Sequence, residues 1–294
     1  MKNSMMNSNQ EIMVTVQCLT YNHAAYIRQC LDGFLMQKTT FKFEVLVHDD
    51  ASTDGTTEIL KEYVSKYPDI IKPIVETENQ YGKIGFSGIF ALMNQRSKGK
   101  YIAFCEGDDY WIDPLKLQKQ VDFLESHPDY GMIYTAFDRV DVNGNTIVND
   151  KQLNRQLNRS KSGWLFYDLI LGNFIQTLTV MMRKNALVNI ETYYDKIYDY
   201  PLYLHISGKS KVYFINEKTG CYRITPTGAM HTGLISFDEN AKHTSSCAFL
   251  ALLDGEYSSL PLRQKFLFFI RILYRICFRN IDNKKRLLRA ILKA

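Results

Sequence analysis

Short apolar runs rich in β-branched residues alternate with segments of helical periodicity through the first half of the chain. Val14 to Leu19 reads as a strand, and Tyr26 to Met36 as a helix, because Ile27, Cys30, Leu31, Phe34 and Leu35 fall on one side at 3.6 residues per turn. Phe43 to Val47 predicts a second strand. Ile59, Leu60 and Val64 mark the next helix, which ends near Pro68. Ile70 to Val75 and Tyr101 to Cys105 predict two further strands, and Pro114 to Ser126 a helix. Between Val75 and the turn at Gly99 no element is assigned. Strands alternating with helices favour an α/β fold, with a mostly parallel sheet flanked by helices.

The rhythm then changes. Met132 to Phe137 predicts a strand, and Asn143-Gly144 a turn between Val140-Asp141-Val142 and Thr146-Ile147-Val148, which together suggest a hairpin. Residues 149–163 are polar and read as a loop. Core-like runs return between Trp164 and Arg223, including Leu178 to Met182 and Lys211 to Ile215, and no internal repeat is present. The expected division is a catalytic domain over 1–225 and a helical, basic C-terminal region over 226–294.

Charge sharpens that division. The 294 residues carry a net +5, yet Leu262 to Ala294 holds ten Lys or Arg against one Asp, a charge of +9, which leaves −4 for the rest. Arg271, Arg275 and Arg279 recur every four residues and form one stripe, while Phe266, Phe269, Ile270, Leu273 and Cys277 face elsewhere. Such a helix fits the interface of an anionic bilayer, or packs on the catalytic body with its arginines in water. No nucleic-acid-binding motif is present. The chain shows no apolar stretch of membrane-spanning length and no secretory leader, so the expected location is the cytoplasm, peripheral on the inner face of the membrane. The six cysteines lack zinc-ligand spacing and read as free thiols. A homodimer is left open.

In an open parallel sheet, ligands bind beyond the carboxyl ends of the strands. Three segments fall there: Thr20-Tyr21-Asn22, Asp49-Asp50 and Glu106-Gly107-Asp108-Asp109. Three carboxylates within four residues repel one another unless a cation compensates them, and hard divalent ions such as Mg²⁺ or Mn²⁺ take oxygen ligands of this kind. A metal here could also hold a diphosphate. The plainer alternative is a solvated acidic turn before the helix near Pro114, for which Asp113 alone would suffice. Asp49 or Asp50 could accept a hydrogen bond from a nucleotide base. Ser52 or Asp54 is a plausible cap for the following helix, and Tyr21 could stack on the base or simply pack.

Thr20-Tyr21-Asn22, Asp49 to Gly55, Glu106-Gly107-Asp108-Asp109-Tyr110-Trp111, Asp199-Tyr200-Pro201-Leu202 and Tyr222-Arg223 together resemble the family-2 glycosyltransferases of GT-A fold, over roughly 210 positions from Val14 to Arg223. The resemblance implies an inverting, metal-dependent transferase acting on a nucleotide sugar, most simply a UDP-sugar, in bacterial surface polysaccharide synthesis of the capsule or O-antigen kind. Thr20 and Asp50 resemble base contacts, with Tyr21, Asn22 and Asp49 beside them. Asp109 resembles the direct metal ligand, and Asp108 a ribose or metal-shell carboxylate. Glu106 stands where the family often has Asp. Asp199 resembles the catalytic base, which removes the proton of an acceptor hydroxyl, with Asp195 its competitor; equally, Asp199 caps a helix starting at Pro201. Arg223 is expected near the diphosphate or acceptor, or paired with a surface acid. Tyr110 and Trp111 are candidates for an aromatic platform under a sugar, Trp111 equally for the core. The partners implied are a nucleotide-sugar donor and a glycan or lipid-linked acceptor. Two rival activities remain in view: a synthase loading polyprenyl phosphate, and a non-catalytic scaffold subunit.

Overall fold

Strand β1 (Ile12–Thr20) alternates its side chains beyond a register shift at its start: Val14, Val16 and Cys18 point to one core, while Leu19 packs against the other. The computed structural model describes residues 11–170, 172–187, 199–225, 261–267 and 270. Parallel pairing joins β1 to β2 (Lys42–Asp49) and to β4 (Tyr101–Phe104), and β2 to β3 (Ile71–Val75). β1, β2 and β4 are buried on both faces over most of their length, whereas β3 lies at the sheet edge with Pro73 and Val75 exposed. The sheet continues through β7 (Met181–Arg183), β6 (Tyr130–Val140), β8 (Lys211–Arg223) and β5 (Tyr110–Trp111), giving the order β3-β2-β1-β4-β7-β6-β8-β5. Strand β7 runs antiparallel to β4 and β6, and β5 antiparallel to β8.

One face is covered by α1 (Ile27–Leu35), α2 (Thr56–Lys66) and α4 (Lys116–Ser126). On α4, Leu117, Gln120, Val121 and Leu124 are buried at spacings of three and four, as the sequence pattern requires. Ile102 and Phe104 of β4 join the opposite core, which is closed by Phe90 of α3 (Tyr81–Arg96), by α6 (Phe166–Ile170) and by α7 (Asp199–Lys209). Apart from residue-level shifts at their ends, the elements expected up to Phe137 form where their periodicity placed them.

Three expectations need correction. The unassigned stretch contains α3, whose periodicity is broken at Gly85, a residue with φ 62° and ψ −177° that kinks the helix. Residues 149–163 are not a loop: they contain α5 (Lys151–Arg159). Asp150 caps it, accepting from the Gln152 and Leu153 amides at 2.8 and 3.0 Å, and Arg139 reaches the same carboxylate at 2.8 Å. The turn at Asn143-Gly144 forms, but its second arm makes only one bridge, Val140 to Thr146, so no second strand follows β6. Most of the basic C-terminal region lies outside the described residues, as do Asp195, Cys247 and Cys277. Cys18, Cys30, Cys105 and Cys221 are free and buried.

Candidate active site

Thr20 pairs with Asp49 across β1 and β2, and β4 leaves the sheet beside β1, so the three segments after these strands share one end of the sheet. The Gly107 amide donates to the Leu19 carbonyl at 2.8 Å, pinning the acidic loop against β1. A Cβ at Gly107 would lie 2.7 Å from Thr20 Oγ1 and 2.9 Å from His23 Nδ1, so no larger residue fits there. The loop after β1 is tied to the loop after β2: the Asn22 amide donates to Ser52 Oγ, Asn22 Oδ1 accepts from the Thr53 amide at 2.9 Å, and the Ala24 amide donates to Asp54. Asn22 and Ala51 both adopt positive φ, 54° and 62°, strain that this lattice of bonds holds in place. Tyr21 is 48% exposed beside it, free to meet a flat ligand.

The two Asp residues after β2 already have protein partners. Asp49 accepts from the Ser52 amide and from the hydroxyls of Ser52 and Thr57. Asp50 accepts from the Asn79 side chain at 2.9 Å and from the Gln80 and Tyr81 amides. It thereby anchors the turn that opens α3.

At the end of β4, Glu106, Asp108 and Asp109 lie together. Burial pushes the Glu106 carboxyl up to about 8, with the Asp108 charge adding to it and Asp199 contributing further. Burial also raises Asp109 well above the usual carboxylate range, with Asp108 and Glu106 adding to it, while the Arg223 amide, donating to Asp109 Oδ1 at 2.8 Å, opposes the shift. Asp199 opens α7 from a position about ninety residues away in the chain, yet its charge is felt at Glu106. Its Oδ2 accepts from the Thr177 hydroxyl at 2.9 Å and its Oδ1 from the Tyr200 amide at 2.7 Å. Burial raises its pKa; those two hydrogen bonds limit the rise.

A sequence profile described as Glycosyl transferase family 2 matches residues 15–190, more than half of the chain. The chain belongs to this family. Over 272 residues the transferase is 32% identical to the uncharacterized protein Rv1520 of Mycobacterium tuberculosis, a match covering 85% of this chain and 74% of that one. It is 28% identical over 187 residues to Bacillus subtilis TuaG, whose name places it among teichuronic acid biosynthesis glycosyltransferases; that match covers 63% of this chain and 67% of TuaG. Among solved structures, S. aureus TarS in complex with UDP-GlcNAc superposes with a TM-score of 0.67 at 17% identity, covering 95% of this chain and 79% of that one. The mannosyltransferase PcManGT of Pyrobaculum calidifontis, in complex with GDP-Man and Mn²⁺, superposes at 0.56 and 15% identity, covering 97% and 87%. At these identities the likeness concerns the fold, which is the mixed α/β GT-A arrangement.

The transferase's acidic loop fits a divalent cation in its chemistry. Among the described residues no Lys or Arg side chain forms an ion pair with Glu106, Asp108 or Asp109; the basic side chain within reach is the imidazole of His23, whose Nε2 is 4.0 Å from Asp108 Oδ2. Also among the described residues, no three acidic, His or Cys side chains converge tightly enough to hold a metal unaided. An ion would therefore take its remaining ligands from a diphosphate or water.

Two expected roles do not survive the geometry. Trp111 is 2% exposed: its Nε1 donates to the Leu178 carbonyl at 2.9 Å, its ring meets Phe34 edge-on and Lys116 Nζ sits 4.4 Å above it. It belongs to the core and offers no face to a sugar. Tyr110 is also buried, with the Arg223 guanidinium 5.3 Å from its ring. Arg223 itself is 4% exposed, and its guanidinium is spent on protein acceptors, leaving no free fork for a phosphate. Sequence reasoning missed His23, Thr177 and Tyr203 around the site. Tyr203 lies one turn after Asp199 on α7, a spacing that could have flagged it. Thr177 sits in a short 3₁₀ turn and carried no signal.

Proposed function

We propose that the transferase moves a sugar from a nucleotide donor, with UDP the favoured nucleotide, to a hydroxyl of a glycan or lipid-linked acceptor in bacterial surface polysaccharide synthesis, with inversion at the anomeric carbon. The observation that carries this reading is the meeting of Asp199 with the Glu106–Asp109 loop across a long stretch of sequence, which puts a buried carboxylate with raised proton affinity beside an acidic cluster that no Lys or Arg among the described residues pairs with. The site of TarS, solved with UDP-GlcNAc, and that of PcManGT, solved with GDP-Man and Mn²⁺, support the donor class and the metal. Asp109 and Asp108 would hold Mn²⁺ or Mg²⁺, with Glu106 in the surrounding shell; the ion supplies positive charge to a departing diphosphate. Asp199 accepts the proton of the acceptor hydroxyl while that oxygen bonds to the anomeric carbon and the bond to the diphosphate breaks. Tyr21, exposed beside the loop lattice, is the stacking surface for the base, and Thr20, Asn22, Asp49 and Asp50 shape its pocket.

Membrane-surface association through the C-terminal region is part of the same proposal. Among the described residues no helix is long and apolar enough to cross a membrane. Leu262, Phe266 and Ile270 recur every four residues and are exposed, and +9 of charge follows in the same region, a combination that suits an anionic bilayer carrying a lipid-linked acceptor.

Nucleotide release measured with UDP-, GDP- and TDP-sugars in Mn²⁺ tests the reading. Release from one donor, lost on chelation and reduced at least about a hundredfold in Asp109→Asn, is the expected result. Metal-dependent release that Asp109→Asn leaves intact would overturn it in favour of a non-catalytic role for the acidic loop.

A further inference from the structure

Arg223 ends β8, and every polar group it extends reaches a different piece of the site. Its backbone amide donates to Asp109 Oδ1 at 2.8 Å, and its Nε donates to the Asp108 carbonyl at 2.9 Å. Its Nη1 donates to the carbonyls of Asp141 and Val142, at 3.3 and 3.0 Å, in the turn that follows β6. Nη2 donates to Gln29 Oε1 of α1 at 2.6 Å. The guanidinium carbon lies 4.8 Å from the Tyr26 ring centre and 5.3 Å from that of Tyr110. One buried side chain thus ties α1, β5 and the Asp141–Asn145 turn to the two residues that carry the acidic loop's carboxylates. Its charge meets carbonyls and rings, with no carboxylate in ion-pair contact, so it remains a source of positive potential behind Asp109.

We propose that Arg223 is a positioning residue for divalent-cation binding. It holds the backbone at Asp108 and the carboxylate of Asp109 in the orientation that a metal–diphosphate pair requires, and it makes Gln29 and the Asp141–Asn145 turn part of the same support. A planar, five-donor fork serves these four acceptors at once, whereas an ammonium on a Lys stem brings only three donors from a single atom. This inference rests on the metal-binding reading above and assigns Arg223 no contact with the donor.

Binding of Mn²⁺ in the presence of UDP, read on the full chain by the loss of the free-ion electron paramagnetic resonance signal, separates the two. Arg223→Lys and Arg223→Met are each expected to weaken Mn²⁺ binding by about tenfold or more, the Lys variant failing to rescue despite its charge. Gln29→Leu, at an exposed position of α1, is expected to weaken it by a smaller, measurable factor of roughly three while keeping a cooperative thermal transition. If the Arg223 variants do not fold, Gln29→Leu decides. Wild-type affinity in folded Arg223→Lys, or in Gln29→Leu, overturns the inference alone. A wild-type chain that takes up no Mn²⁺ with UDP overturns the metal reading and this inference with it.

Discussion

At the scale of single residues, the site depends on carboxylates whose surroundings resist ionisation. Asp199 must be ionised to accept a proton, and burial raises its pKa while the Thr177 hydroxyl and Tyr200 amide pull it down. The acid limb of the transfer rate should therefore lie above the ordinary carboxylate range, activity rising with pH. Thr177→Val removes one stabilising donor from the charged form, so it should move that limb to still higher pH, visible in a kcat profile. Asp199→Asn should lower kcat on the order of a hundredfold to ten-thousandfold while Mn²⁺ and UDP still bind. An unshifted limb in Thr177→Val would argue against Asp199 as the group that titrates.

Lys116 shows the same physics away from the chemistry. Fully buried, bonded to Gln120 Oε1 at 2.8 Å and lying over Trp111, its amine is pushed down to about 7 by burial, against the smaller pull of Cys105 and Asp113. The unfolded chain keeps that proton up to about 10.5, so between about 7 and 10.5 it binds more protons than the folded chain, and stability contributed by this group rises with pH. Below about 7 the burial cost is present in full. Lys116→Met is expected to gain stability relative to wild type at pH 6–7 and to lose that advantage progressively by about pH 10. Denaturant midpoints taken across this range check it; a difference that does not vary with pH would contradict it.

At the scale of elements, α3 and α5 show where local pattern is outweighed. Gly85 occupies φ 62° and ψ −177°, a region essentially closed to residues with a Cβ, and the kink lets the Tyr81 and Phe86 rings meet at 4.7 Å with a tilt of 56° while Ile89, Phe90 and Met93 pack under the sheet. Gly85→Ala should destabilise the fold by about 1–3 kcal/mol in urea unfolding. A neutral result would mean that the kink straightens without consequence. Helix α5 buries only Leu153, so apolar periodicity could not announce it. Its start is set by Asp150, whose bonds to Arg139 of β6 are tertiary.

At the scale of the whole molecule, the site is assembled from β1, β4, the 3₁₀ turn at Thr177, α7 and β8, which no local segment brings together. A ligand that binds only this assembled state stabilises it by mass action. Saturating Mn²⁺ with UDP together should raise the melting temperature by roughly 5–10 °C, from ligand at about a hundred times its dissociation constant. Mn²⁺ alone should do far less, because the acidic loop supplies too few ligands by itself. Equal shifts with Mn²⁺ alone would place the ion elsewhere.

Much of this was readable along the chain. The parallel half of the sheet, its covering helices and the three loops at one end follow from period and turn chemistry, because buried strands and amphipathic helices write their environment into consecutive residues. The acidic cluster is legible as three carboxylates within four residues at the end of a strand, whereas Asp199 is singled out only because its Asp-Tyr-Pro-Leu context resembles that of the family. Partnership is another matter. Arg223 as a buried brace, Trp111 as core, Asp50 as the anchor of α3 and Thr177 beside Asp199 are set by which residues meet across tens or more than a hundred positions. Only the packed chain decides them, since an isolated side chain carries its donors and charge but not the acceptors it will find.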